Sequence, residues 1–151
     1  MTTIVPGNAA DLPSLMPVMA GAFGTRFGEA WTESQCLGVV SMPGSHLVIA
    51  SEGAVVGFAL SRVIADECEL MLLAVMPQVQ QRGIGRALLD AVIANARIAN
   101  ADNVFLEVRD ANPAIELYTA KGFIEVGRRR GYYRGSFGET FDALTYRLVL
   151  S

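Results

Sequence analysis

The chain has 151 residues, enough for about one domain with a real core. Hydrophobic residues make up 52% and charged residues only 18%, which excludes a disordered chain. The formal charge of −3 argues against wholesale nucleic-acid binding.

Taken in chain order, the start Met1-Thr2-Thr3-Ile4-Val5-Pro6 has neither a charged n-region nor a long apolar core, so no signal peptide is expected. Ile4-Val5 reads as a short first strand. Asp11 and Pro13 open a helix through Leu15, Met16, Met19 and Phe23, apolar at three- and four-residue spacing. Residues 21–31 are rich in glycine and aromatics and read as a loop. Thr32 with Gln35 predicts a capping box for a short helix through Val40. Strands follow at about 46–51, 55–65 and 67–75, forming an antiparallel meander. After them Ile84, Leu88, Val92 and Ala96 repeat on one helical face, and 103–108 reads as a fifth strand. Asn112-Pro113 is an N-cap with proline at the first helical position, and Gly122 is a natural stop. Strands near 123–128 and 141–149 close the chain. No linker or repeat divides it, so one mixed α/β domain over 1–151 is expected.

Cys36 and Cys68 lie far apart and His46 is the only histidine, too little for a zinc site or a Cys–His nucleophile pair. Two buried, reduced thiols are the expectation. No apolar stretch approaches membrane-spanning length, so a soluble cytoplasmic protein is expected.

The most informative stretch is Gln80-Gln81-Arg82-Gly83-Ile84-Gly85-Arg86-Ala87, between an apolar strand and a helix. Two glycines allow a tight turn with inward-facing N–H groups, and the following helix adds its unpaired first-turn donors. Such a loop cradles phosphates. It is not a Walker loop, since no Gly-Lys-Ser or Gly-Lys-Thr is present. It is not the dinucleotide fingerprint either, since Leu88 stands where a third small residue belongs.

With this stretch, the run Leu106-Glu107-Val108-Arg109, then Asn112, Leu117-Tyr118, Gly122-Phe123, Tyr132-Tyr133 and Asp142-Ala143, the chain resembles the GNAT acyltransferases over nearly its whole length. Within that family it looks like the RimI type, which acetylates the N-terminal alanine of a small-subunit ribosomal protein. The resemblance implies a mostly antiparallel sheet of about six to seven strands flanked by about four helices. It implies acetyl-CoA as co-substrate, with no metal. Backbone at Leu73, Ala74 and Val75 would pair with the pantetheine arm. Gln81, Arg82, Gly83, Ile84, Gly85 and Arg86 would hold the pyrophosphate, and Asn112 would either touch the cofactor or only cap its helix. One departure stands out: the spacing from Asn112 to Tyr118 is one residue shorter than is usual for the type.

The residues carry chemistry of their own. In a strand over 103–109, Phe105, Glu107 and Arg109 share one face. A carboxylate in a strong strand is costly unless exposed, paired or functional, so Glu107 is either a general base or the partner of an arginine. Glu69 is its rival, sharing a strand face with Met71, Leu73 and Val75; Glu67 lies on that face too, and a solvated strand end is the simpler reading of both. A carboxylate of ordinary pKa near ~4.3 is a weak base for an ammonium. An α-amino group at roughly 7.7–8.0 is easier to deprotonate than lysine at about 10.4, which favours N-terminal acceptors. The resemblance makes Tyr118 the acid that protonates the departing thiolate; core packing is its plain alternative. Arg128-Arg129-Arg130 is either a solvated strand end or a servant of the anion site. The acceptor is therefore a protein N-terminus or a small amine, and a non-catalytic acyl-CoA-binding module is the reading from another class.

Overall fold

The computed structural model describes residues 1–24 and 27–150. Thr25 and Arg26, inside the expected loop at 21–31, lie outside the described residues. Seven strands form one sheet: β1 (Thr3–Gly7), β2 (Ser45–Glu52), β3 (Ala54–Ile64), β4 (Glu67–Val75), β5 (Asn103–Arg109), β6 (Ile124–Arg134) and β7 (Thr140–Val149). Their spatial order is β1-β2-β3-β4-β5-β7-β6. Every neighbouring pair is antiparallel except β4 with β5, which are parallel because a helix carries the chain from one to the other. The helices are α1 (Leu12–Phe23), α2 (Glu33–Val40), α3 (Ile84–Ile98) and α4 (Ala114–Ala120). Among the described residues, no helix is long and apolar enough to cross a membrane.

Local chemistry explains most boundaries. The Thr32 hydroxyl accepts from Gln35 N–H at 3.1 Å while the Gln35 side chain accepts from Thr32 N–H at 2.8 Å, closing the expected capping box of α2. Asn112 Oδ1 accepts from Ala114 N–H at 2.9 Å and so starts α4. Gly122, at φ +99°, ends it, with Phe123 N–H returning to Tyr118 O at 3.1 Å. α1 runs through Gly21 to Phe23, past the expected start of the loop, because its apolar stripe continues.

Two cores line the two faces of the sheet. On one face α3 buries Ile84, Leu88, Leu89, Val92 and Ala96 against Cys68, Leu70, Val104, Leu106 and Val108, and α4 adds Tyr118. On the other face α1 and α2 bury Leu12, Leu15, Val18, Met19 and Cys36 against Phe58, Leu60, Leu72 and Ala74. Both cysteines are buried and free, and burial pushes the Cys68 thiol up to about 11.

The edge strand β6 is irregular for a stated reason. Arg130, Gly131 and Tyr132 together face the single residue Asp142 of β7, since Arg129 pairs with Ala143 and Tyr133 with Phe141. Asp142 holds this bulge: its carboxylate accepts from Gly131 N–H at 2.8 Å and from Arg128 at 2.7 Å. Those contacts, the Gly131 N–H foremost, hold its carboxyl below the usual value of 3.8. A lowered folded pKa contributes stability above the ordinary value and loses it as pH falls through the folded one. Asp142→Ala should therefore melt below the parent protein at pH 7. The gap between the two melting curves should close as the pH is taken below about 4; a gap independent of pH would sink this account. Neither thiol should react with an aromatic disulfide reagent at pH 8 until denaturant is added, because the thiolate is the reactive form.

Candidate active site

The parallel pairing of β4 with β5 runs only from Glu67↔Asn103 to Leu70↔Leu106. Beyond it β4 stays with β3 as far as Val75↔Gly57, while β5 stays with β7 as far as Arg109↔Ala143. The strands part, and a gap opens through the sheet between residues 71–75 and residues 107–109. Met71 causes the divergence on one side. Leu60 pairs with Leu72 and Ser61 with Leu70, so Met71 has no partner in β3 and forms a bulge.

That bulge also reverses the faces of β4. Cys68 and Leu70 pack on the α3 side, whereas Leu72 and Ala74 pack on the α1 side. Glu69 therefore does not share a face with Leu73 and Val75, as regular alternation would require. It lies instead with Arg62, Glu67, Phe105, Glu107 and Thr145 along a shallow depression on the α1 side. Met76 N–H donates to Val56 O at 2.8 Å, so by alternation Leu72 and Ala74 bond toward β3. The N–H and C=O groups of Leu73 and Val75 point into the gap, and Val75 O accepts from the Gln80 side-chain amide at 3.0 Å. Of the three expected strand residues, Ala74 alone turns its backbone away.

At the end of β4 the chain enters the loop over Gln81, Arg82 and Gly83. Two residues take the left-handed conformation there, Gln81 at φ +65° and Gly83 at φ +83°. The second glycine does something other than turn: Gly85 is inside α3, where a Cβ would meet Leu117 Cδ2 of α4 at 3.4 Å. Its value is close approach. The first helical rung is Ala87 N–H to Gly83 O at 3.0 Å, and no side chain caps this end. The N–H groups of Ile84, Gly85 and Arg86 are thus the open donors of a 15-residue helix, a cradle for an anion. Arg82 is held by Glu52, whose two oxygens accept from its Nη2 at 3.2 and 3.1 Å. Arg86 is exposed on the first turn.

On the α3 side of the gap, α4 presents Tyr118, buried against Phe123 with ring centroids 5.9 Å apart. Burial pushes its phenol well above the ordinary tyrosine value, so it is protonated throughout the neutral range. Lys121 to Asp90 at 2.5 Å ties the end of α4 to α3. Asn112 spends Oδ1 on its cap, which leaves its amide N–H₂ to donate elsewhere.

On the α1 side stands Glu107, 31% exposed, with Oε2 3.6 Å from Arg129 Nη2. The middle arginine of the basic run thus faces Glu107 from an exposed strand position and not the anion loop, while Arg128 reaches Asp142, Asp110 and Glu125. Arg109 does not pair with Glu107, although both share a strand face. Its Nε lies 3.6 Å from Glu29 Oε1, and its guanidinium covers the Phe27 ring at 3.7 Å. Tyr133 is half-buried here; desolvation first, then Glu107 and Glu29, push its phenol up to about 12. Sequence reasoning missed Glu29 as part of this group, since a lone acidic loop residue carries no periodic signal. Among the described residues, no cluster of His, Cys, Asp or Glu could hold a metal ion.

The comparisons with known proteins agree with this geometry. The chain is 33% identical over 154 aligned positions to the ribosomal protein bS18-alanine N-acetyltransferase of Salmonella typhimurium, covering 100% of this chain and 99% of that one. Its fold superposes on the crystal structure of the ribosomal-protein-S18-alanine N-acetyltransferase from Escherichia coli with a TM-score of 0.90 at 31% identity, covering 100% and 95% of the two chains. A further protein of Salmonella typhimurium, solved with its cofactor acetyl-CoA, shares the fold at a TM-score of 0.83 and 22% identity, over 100% of this chain and 95% of that one. Residues 12–123 match the family model described as Acetyltransferase (GNAT) family. A sheet split between β4 and β5, a helix N-terminus at the mouth of the split and that match together make this chain a member of the GNAT acetyltransferase family.

Proposed function

We propose that the protein transfers the acetyl group of acetyl-CoA to the N-terminal amine of a protein, with the whole chain acting as one catalytic domain. The observation that carries this reading is the gap between β4 and β5, which joins a donor face bearing Tyr118 to an acceptor face bearing Glu107. The full-length relatives that act on the N-terminal alanine of a ribosomal protein support the acceptor class.

On the donor side, the pantetheine arm pairs with the Leu73 C=O and the Val75 N–H as an added strand would. The pyrophosphate sits on the N–H groups of Ile84, Gly85 and Arg86, with Gly83 and Gln81 shaping the turn and Arg86 adding charge. Arg82 reaches it only by leaving Glu52. On the acceptor side, the helices of that face cover β2 to β4. The N-terminus of the acceptor enters beside Glu107.

The amine nitrogen attacks the thioester carbonyl carbon, and the backbone N–H of Leu73, the open donor farther from the pyrophosphate loop, receives the oxyanion. Glu107 takes the amine proton, directly or through one water. The C–S bond then breaks and Tyr118 donates its proton to the departing sulfur. Burial raises the phenol, which keeps the proton on Tyr118 until a thiolate forms beside it to accept it. Holding both substrates in line supplies much of the rate. On this reading the protein works in the cytoplasm, where ribosomal proteins are made.

The test is release of coenzyme A thiol with three acceptors: an alanine-starting ribosomal peptide, its N-terminally blocked twin carrying lysine, and a panel of small amines. Turnover is expected with the free N-terminus alone. Glu107→Gln should lower kcat by roughly 10²–10⁴-fold and Tyr118→Phe by about tenfold or more, each with the acetyl-CoA KM nearly unchanged. Turnover of small amines only would remove the protein acceptor while leaving acetyl transfer in place.

A further inference from the structure

Among the described residues, Arg109 is the one buried charged side chain, 8% exposed. Its surroundings are unusual for an arginine. Its guanidinium lies 3.7 Å from the centroid of Phe27 and 5.5 Å from that of Phe141, and these rings meet edge to face at 5.3 Å. Its Nη1 donates to Asp110 O at 3.4 Å. Its Nε makes no hydrogen bond among the described residues, and Glu29 stands beyond that range at 3.6 Å. Burying a guanidinium is costly, and replacing this one alone with an apolar side chain would leave Glu29 without its countercharge. What it does that an apolar side chain could not is bind a ring face and a carboxylate at once.

Phe27 and Glu29 belong to the segment between α1 and α2, whereas Arg109 and Phe141 belong to β5 and β7. Arg109 lies two residues beyond Glu107 on the same strand face, and Glu29 and Arg109 both act on Tyr133 beside Glu107. The contact therefore fixes a loop against the acceptor side of the gap.

We propose that Arg109 is a positioning residue for the acceptor: stacked on Phe27 and facing Glu29, it docks residues 27–31 beside Glu107 and so shapes the wall against which the incoming amine is aligned. The proposal rests on the acetyl-transfer reading for its acceptor, and on contacts alone for the docking.

Trp31, the only tryptophan of the chain, lies at the end of that segment, half-buried against the α1-side core, and reports on docking without any substrate. In Arg109→Met, acrylamide quenching of Trp31 should rise about twofold and the acceptor KM about tenfold, with the acetyl-CoA KM within about twofold. Arg109→Lys should not rescue either, since an ammonium cannot lie flat on the ring and reach the carboxylate together. Phe27→Leu and Glu29→Gln approach the same contact from the loop and carry the test should Arg109→Met fail to fold. Unchanged quenching and acceptor KM across these variants would overturn the proposal, as would a parallel rise in both KM values. If the parent protein used only small amines, the protein-acceptor reading would fall, and the same KM split with that amine would still decide the role of Arg109.

Discussion

Everything this fold can do follows from the early end of one strand pairing. β4 and β5 are hydrogen-bonded neighbours for four residue pairs and then separate, although each keeps its other neighbour to the end. A sheet interior leaves no backbone group free; this one frees the inner edge of β4 over its last residues. The divergence is driven from one side. The unpaired Met71 adds a residue to β4 and increases its twist away from β5, whose ladder with β7 runs without a shift. One extra residue in one strand thus turns a barrier between two cores into a passage between two faces.

The passage divides the labour of the site. The face covered by α3 and α4 is apolar and dry at Tyr118, and the uncapped N-terminus of α3 stands at its mouth. The face covered by α1 and α2 is polar where it meets the gap, with Glu107, Tyr133 and Glu29 converging there. A thioester with an anionic tail suits the first environment and a cationic amine the second. On the proposed reading the two reactants meet in the gap, each entering from its own face. No side chain has to serve both.

Most of the fold was legible in the sequence because most of its signals are local. The capping box at Thr32 and Gln35, the Asn112 cap, the Gly122 stop and the α3 stripe each depend on residues within a few positions of one another. All four appear as expected. The two glycines of the anion loop were legible as a pair but not in their separate tasks: Gln81 takes the positive φ expected of glycine, and Gly85 admits Leu117 from another helix. The bulge at Met71 was invisible because nothing in Leu-Met-Leu marks an unpaired residue, and the misreading of the Glu69 face follows from it. The Arg109–Glu29 contact spans two distant elements. A sequence offers no period by which to see it, and the strand face that Arg109 shares with Glu107 says nothing of Glu29.

The two ion pairs at the acceptor side are equal in length and opposite in kind. Glu107 and Arg129 stand 3.6 Å apart with side chains 31% and 63% exposed, so water screens the pair and either partner can leave it at little cost. Glu29 and Arg109 are also 3.6 Å apart, but their side chains are 14% and 10% exposed. Removing either charge there would leave the other buried and uncompensated, which is the expensive case. A carboxylate that must meet an incoming ammonium needs a partner it can exchange, and a carboxylate that must hold a loop needs one it cannot. On the proposed reading, solvent exposure rather than distance separates the two carboxylates, Glu107 meeting the amine and Glu29 holding the wall beside it.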